Sequence, residues 1–484
     1  MQYKWTALTV TAVGTLMAGL DTRIIIIGLP AVAKQLGADA EQIIWVSQAY
    51  LLASTIGLLL IGRVTDIAGR VKIYNVGFAI FTAGSAFASI SFSPFELIAS
   101  RIVQGVGSAM IITNSAAILT DSTPPGELGT ILGINQIAFR AGSILGLTLS
   151  GVVIALADWR ALFYLNIPIG IFGTVWAKLK LREVSTKDTA KEMDWEGFAT
   201  FTSGLTLVLL AITFLSYGLS DSLLGAGLFS SGVILLVVFV KIETKVQAPL
   251  LDLKLFKIRQ FASSNLSQIL NALAWAGSII MISFYLQIVL GFSALQAGLG
   301  LLPLEATYIL FGPISGRLSD KYGPRFFSTL GLAISSLGFL LLSTISVSTS
   351  YGEFALVLAL LGAGNGMFVS PNISAIMGSV PPNRRGIASG FRVTMLNVGL
   401  TASSGIAVLL ITLGISYNGF SALIQNLVPQ SGLLLAKAQF VNGFKLATLA
   451  LALTNSAAII PSALRGQKKP GSSTSSSLEN RLPD

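Results

Sequence analysis

Long apolar runs alternate with short charged turns along almost the whole chain. A run of about 20 apolar residues is long enough to cross a bilayer as a helix. Fourteen such runs are predicted, at 6–29, 44–62, 71–91, 97–119, 130–155, 161–179, 197–216, 222–240, 261–288, 294–315, 326–347, 353–377, 387–413 and 440–461. They are numbered helices 1 to 14 below.

The turn between helices 2 and 3 occurs twice. Residues 62–72 read Gly-Arg-Val-Thr-Asp-Ile-Ala-Gly-Arg-Val-Lys, and residues 316–325, between helices 10 and 11, read Gly-Arg-Leu-Ser-Asp-Lys-Tyr-Gly-Pro-Arg, at an offset of 254. A second pair supports the repeat: Pro124-Pro125-Gly126-Glu127-Leu128-Gly129 with Gly133, and Pro381-Pro382-Asn383-Arg384-Arg385-Gly386 with Gly390, offset by 257. The chain therefore divides into an N-terminal six-helix bundle (1–180), a linker with two extra helices (181–260), a C-terminal six-helix bundle (261–464) and a tail (465–484). Same-direction repeats of several membrane helices are a known transporter architecture.

Composition agrees with an all-α polytopic membrane protein. The chain is 53% hydrophobic and 11% charged, against about a quarter charged in soluble proteins. Its net charge of +10 does not read as nucleic-acid binding, because the basic residues sit in short turns. Of the 31 Lys and Arg, three fall in one set of loops (Lys34, Arg160, Lys437), five lie within spans and the remaining 23 fall in the other loops and ends. The positive-inside rule then puts both termini in the cytoplasm of a cell membrane. The N-terminus leads into helix 1 without a cleavage signature and reads as uncleaved. Residues 180–196 read as a solvated linker, 248–261 as either an interfacial amphipathic segment or a simple linker, and the tail from Arg465 as disordered.

With no histidine and no cysteine, disulfides, thiolate metal sites and a cysteine nucleophile are excluded and the usual proton shuttle and metal ligand is missing, so proton chemistry falls to carboxylates. No cofactor is expected. Ionisable groups inside a span are functional candidates by default, and seven qualify: Asp21, Arg23, Arg101, Arg140, Glu305, Arg392 and Lys445. Asp21 and Glu305 are the two embedded acids and the expected proton carriers. Depth along the helices levels Asp21 with Arg101, Glu305 with Arg140, and Arg392 with Asp66. Each pair is either a static neutralisation or part of a coupling device. Arg23 lies about 200° around the helix from Asp21 and is expected to snorkel. The repeated turns (Gly62, Arg63, Asp66, Gly69, Arg70; Gly316, Arg317, Asp320, Gly323, Arg325) read as gating elements, with Asp66 and Asp320 accepting from the start of the next helix. Glycines 105, 107, 142, 146, 362, 364 and 366 read as close-packing positions. Trp45, Trp159 and Tyr164 read as interface anchors.

No ATPase or hydrolase signature is present. The turn at 62–72, Arg101-Ile-Val-Gln104-Gly105-Val-Gly107, Leu20-Asp21 through Gly28-Leu29-Pro30, Trp45-Val-Ser-Gln-Ala-Tyr50, and Trp159-Arg160 with Phe163, Asn166, Pro168 and Gly170 resemble the signatures of the major facilitator superfamily, specifically its fourteen-helix drug:proton antiporters. Two departures stand out: Arg23 and Ile26 replace the usual Thr and Asn of the helix 1 motif, and Gly146-Leu147 replaces the Gly-Pro of the helix 5 signature. The resemblance implies a cavity lined by helices 1, 4, 9 and 12, and helices 5 and 10 in contact, where Arg140 and Glu305 would bridge the halves. The expectation is a proton-driven, monomeric exporter of small amphipathic compounds working by alternating access. The alternative is a facilitator or symporter for an anionic metabolite, since five embedded cations face two acids. An enzyme or sensor comes third, lacking a nucleophile, metal set or soluble domain.

Overall fold

The computed structural model describes residues 3–124, 127–184, 194–216, 222–246, 249–250, 253–380 and 385–466. Among them, fourteen helices are long and apolar enough to span a membrane. They are helix 1 (Tyr3–Leu36), 2 (Ala40–Gly62), 3 (Arg70–Ser89), 4 (Pro94–Ser122), 5 (Ile131–Leu156), 6 (Ala161–Lys180), 7 (Trp195–Leu215), 8 (Leu223–Glu243), 9 (Arg259–Val289), 10 (Ala294–Ser319), 11 (Pro324–Leu342), 12 (Tyr351–Gly378), 13 (Ala388–Ile411) and 14 (Gln430–Leu464). No strand occurs among the described residues. In a bilayer, backbone polar groups must bond within the segment, which favours helices. The chain is a multi-pass membrane protein.

The chain forms two compact units, and the division falls inside helices 9, 10, 13 and 14: Met1–Leu250, Gly277–Leu301 and Ser404–Phe444 form the first, and Leu251–Ala276, Leu302–Ser403 and Lys445–Asp484 the second. In the first unit helix 1 packs along helix 5, and helices 2 and 3 along helix 4. In the second, helix 12 packs against the Leu302–Tyr322 part of helix 10 and against helix 11. There Gly399 of helix 13 lies against Ala272 and the Ile269 carbonyl of helix 9. These are the same pairings one repeat later. Helices 7 and 8 pack on each other in the first unit, where Gly204 and Gly232 admit the partner helix's backbone.

Helices 1 and 14 run well beyond the apolar pattern. Helix 1 continues through Pro30 to Leu36. A proline inside a helix removes the bond to the carbonyl four residues back, here Ile26. That carbonyl accepts from Ser283 Oγ at 3.4 Å, and the adjoining Ile27 carbonyl accepts from Gln287 Nε2 at 3.3 Å. Helix 14 begins ten residues before the predicted 440, because Lys437 interrupts the apolar run; its Nζ donates to the Val289 carbonyl at the end of a π-helical turn, Tyr285–Val289.

Two expectations need correction. Trp159 is fully buried and packs edge-on against Phe163, 6.1 Å between centroids, so it is a core residue and not an interface anchor. Trp45 bonds Thr213 of helix 7 at 3.1 Å through its indole N–H, while Tyr164 is 51% exposed. Arg465, expected to open the tail, is 1% exposed and folds back onto Ser462 and Ser328. Burial lowers its pKa to about 10. Among the described residues of 248–261, a short 3₁₀ turn, Leu253–Lys257, precedes the start of helix 9 at Arg259. In that turn Leu255 is buried and Phe256 packs edge-on against Phe261 and Phe391.

Candidate functional site

Asp21 lies just past the middle of helix 1 and is wholly buried. Its Oδ2 accepts from Arg101 Nη1 at 2.6 Å. Its Oδ1 accepts from Asn166 Nδ2 at 2.8 Å and from Gln104 Nε2 at 3.3 Å. Arg101 and Gln104 are three residues apart on helix 4 and therefore share a face. The Gln104 side chain is held from both ends, its Oε1 accepting from Arg101 Nη1 at 2.8 Å and its Nε2 donating to Ser85 Oγ of helix 3 at 2.8 Å. Arg101 Nε reaches the Val46 carbonyl of helix 2 at 3.1 Å, and its guanidinium lies 4.3 Å from the Tyr50 ring centroid. The Tyr50 hydroxyl donates to Ser108 at 2.8 Å.

Helices 1, 2, 3, 4 and 6 thus meet at one charged junction, with Arg101 1% and Asn166 and Gln104 0% exposed. Two ions taken out of water cost several kcal/mol each unless tightly paired and hydrogen-bonded. The donors around Asp21 meet that condition for the ionised carboxylate. A proton on Asp21 would cancel one charge and leave Arg101 without its counter-ion.

Local backbone chemistry sets these positions. Helix 6 is interrupted at Leu165, and its second piece, Asn166–Lys180, starts at the residue that reaches Asp21. The glycines of helix 5 let helix 1 approach: a Cβ on Gly142 would lie 2.0 Å from the Leu16 carbonyl, and one on Gly146 2.4 Å from the Leu20 carbonyl. Gly105 and Gly107 play the same part for helices 2 and 3, and Gly362, Gly364 and Gly366 for helices 10 and 11.

The remaining sequence candidates are placed as follows. Glu305 is 8% exposed, in the first turn of Leu302–Tyr322, below a break at Leu301. Arg140 and Arg23 are half-buried, and each is engaged. Arg140 belongs to the first unit and Glu305 to the second. Arg392 is half-buried on helix 13, its carbonyl accepting from Gln268 Nε2 at 2.8 Å. Lys445 is half-buried on helix 14.

The two repeated turns share one backbone geometry. Gly69 and Gly323 have φ of +101° and +90°, values that side-chain-bearing residues rarely adopt. Their amides bond back to Thr65 and Ser319, at 2.9 and 2.8 Å, and helices 3 and 11 start at the next residue. Arg70 pairs with Asp121 and bonds the Ala117 carbonyl at 3.1 Å, whereas Arg317 and Arg325 are exposed. The side chains of Arg63, Asp66 and Asp320 lie outside the described residues.

The carboxylate found at the start of helix 3 comes from the linker. Glu183 accepts from the amides of Arg70 and Val71 at 3.1 and 3.0 Å, where the helix dipole favours a negative charge. Tyr3 fixes the same strand of linker through the carbonyl and amide of Arg182, at 2.9 and 2.8 Å. The opening of 180–196 is therefore docked rather than freely solvated. Glu183→Gln is expected to lower stability by about 0.3–1 kcal/mol at low salt and by less at high salt, because the contact is exposed. Thermal unfolding at two ionic strengths checks this; equal losses at both would show that the charge is not what holds the helix start.

Asn166, Gln104, Ser85 and Tyr50 were legible only as motif letters or not at all. The one available signal is a polar amide in an apolar run, which marks burial without naming its partner.

A sequence profile described as Major Facilitator Superfamily matches residues 11–402. The relatives include a riboflavin transporter of Clostridioides difficile (strain 630), 28% identical over 86% of this chain and 90% of the relative. A tetracenomycin C resistance and export protein of Streptomyces glaucescens is 28% identical over 84% and 75%. A cephamycin export protein of Amycolatopsis lactamdurans is 30% identical over 86% of each chain. Among solved structures, a bacterial homologue of the human lysosomal transporter Spinster, in an inward-facing and unoccupied conformation, superposes with a TM-score of 0.66 at 15% identity, covering 96% of this chain and 97% of that one. The xylose transporter of E. coli gives 0.60 at 17% identity, covering 90% and 97%. At these identities the solved structures speak to the fold alone, while the profile spans most of the chain and the relatives are transporters: the chain belongs to the Major Facilitator Superfamily.

Proposed function

We propose that this chain is a proton-coupled exporter of small amphipathic compounds, with Asp21 as the residue that takes up and releases the proton. The observation that carries the reading is the Asp21 carboxylate, 0% exposed, held by Arg101, Gln104 and Asn166. A buried ion pair of this kind is balanced until a proton binds the carboxylate, and a single proton then leaves the guanidinium uncompensated. The export of tetracenomycin C and of cephamycin by relatives supports the direction and the type of substrate. Glu305, the second acid placed well inside a span, is the other proposed proton carrier, and Arg140 and Arg392 its fellow embedded charges. The lopsided distribution of Lys and Arg supports a cytoplasmic location for both termini, and the protein is read as working as a monomer by alternating access.

A second reading, a facilitator or symporter for an anionic metabolite, is favoured by the surplus of embedded cations and by the riboflavin transporter among the relatives. Purified protein in liposomes under an imposed pH gradient separates the two. The exporter should move lipophilic compounds only while the gradient persists, with matching proton counterflow. Gradient-independent flux of organic anions would select the second reading.

A further inference from the structure

We infer that Asn166 is a two-way partner of Asp21: its amide N–H serves the ionised carboxylate, and after a half-turn of the amide its carbonyl receives the O–H of the protonated acid. The inference rests on Asp21 being the proton site. It begins from an imbalance within the junction. Asn166 donates through Nδ2 to Asp21 Oδ1 at 2.8 Å, yet its own carbonyl oxygen is buried without a hydrogen-bond partner. A buried acceptor left unpaired is costly, and such groups call for an explanation.

Protonation changes what Asp21 needs. The ionised carboxylate only accepts; the acid must also donate one hydrogen. Arg101 has no acceptor to offer. Gln104 presents its N–H side, and turning its amide would break the bonds to Arg101 and to Ser85 together, since each end of the amide is in use. Asn166 has no second bond to lose. Turning its amide exchanges the donor facing Asp21 for an acceptor and trades one unpartnered end for the other.

The second repeat shows the accepting arrangement with neutral groups. On helix 14, the counterpart of helix 6, Asn455 accepts through Oδ1 from Asn271 Nδ2 of helix 9, the counterpart of helix 1, at 2.9 Å. Its Nδ2 donates to Ser335 and Ser336 of helix 11 at 2.8 and 2.9 Å and to the Leu332 carbonyl at 3.1 Å. Both ends of that amide are engaged, so it is fixed. At the first junction one end of the asparagine is free, and the group facing it on helix 1 is an acid.

The charged and titratable groups around Asp21 are Arg101 from helix 4 and Tyr50 from helix 2, with Arg23 on its own helix and Arg140 on the adjoining helix 5. Helices 3 and 6 contribute the neutral Ser85 and Asn166. Among the described hydrogen-bond partners of Asp21, only the Asn166 amide has an unused acceptor. It is a positioning residue, and the proton it receives in a hydrogen bond stays on Asp21.

Infrared difference spectroscopy of the full-length protein in liposomes, recorded on acidification, tests this without requiring substrate. Wild type should develop a protonated-carboxyl C=O band that is absent in Asp21→Asn. In Asn166→Leu the band should shift to higher frequency, as expected for an acid that has lost its acceptor, and in Asn166→Ser it should stay near the wild-type position. In the wild type labelled with isotopic asparagine, an amide carbonyl band should move to lower frequency on acidification, and Asp21→Asn should abolish that movement. The pH midpoint of the carboxyl band should rise by about one unit in Asn166→Leu, because the bond lost from the ionised state is the charge-assisted, stronger one. If Asp21→Asn removes no band, the proton-site reading fails and takes this inference with it. If the band is lost in Asp21→Asn but is unmoved in Asn166→Leu, the inference alone fails. Should Asn166→Leu not fold, the labelled-asparagine band in wild type decides, and its staying still would overturn the proposal.

Discussion

Arg101→Gln alone should cost the fold about 3–5 kcal/mol, while Arg101→Gln combined with Asp21→Asn should cost well under half as much. Arg101 and Asp21 are 1% and 0% exposed and 2.6 Å apart. Removing the arginine leaves a carboxylate with two amide donors and no counter-ion, in a place water does not reach. Breaking a buried pair from one side is strongly destabilising, whereas removing both charges is often near neutral. Asp21→Asn alone leaves the guanidinium uncompensated, but Arg101 keeps the Val46 carbonyl, Gln104 and the Tyr50 ring. That variant should therefore be milder in stability than Arg101→Gln and should abolish gradient-driven flux. Unfolding of all three variants in detergent, set against wild type as a double-mutant cycle, gives the coupling directly. Strictly additive losses would show that the two charges do not depend on each other.

Gly142→Ala is the second large effect, expected to cost about 1–3 kcal/mol or more through overpacking. Its Cβ would lie 2.0 Å from the Leu16 carbonyl and 3.0 Å from the Leu20 amide, which are backbone atoms that cannot rotate aside. From the other side, a Cβ on Gly19 would meet the Phe139 carbonyl at 2.2 Å. The two helices touch backbone to backbone, and separating them moves Leu20 and with it Asp21. Transport should therefore fall along with stability. Gly133, on the same helix with open space around it, is the control: Gly133→Ala should be neutral or stabilising by up to about 1 kcal/mol. Equal losses in both variants would mean that helix propensity, and not close approach, governs helix 5.

Much of this molecule is legible in its sequence because a membrane restricts what a chain can do. Run length sets the fourteen spans, since the bilayer has one thickness and its interior requires helices. The repeated turn was equally readable: Gly69 and Gly323 take the same positive φ because each short turn needs it whatever surrounds it. Even the pairing of Asp21 with Arg101 follows from counting depth along two helices that run in opposite directions.

What the sequence by itself determined is therefore position along the membrane normal, and what the tertiary structure decided is everything across it. Hydropathy measures distance along a helix and is blind to rotation about its axis and to which helices are neighbours. Asn166 reaches Asp21 across 145 residues of sequence, and Glu183 caps helix 3 from 113 and 112 residues away. Trp159 and Arg465 stand at span ends, where depth alone suggests an anchor and a tail, yet packing buries both. Those partners are chosen by which faces close on one another, through backbone contacts such as Gly142 on Leu16, and that choice is made only when the helices pack.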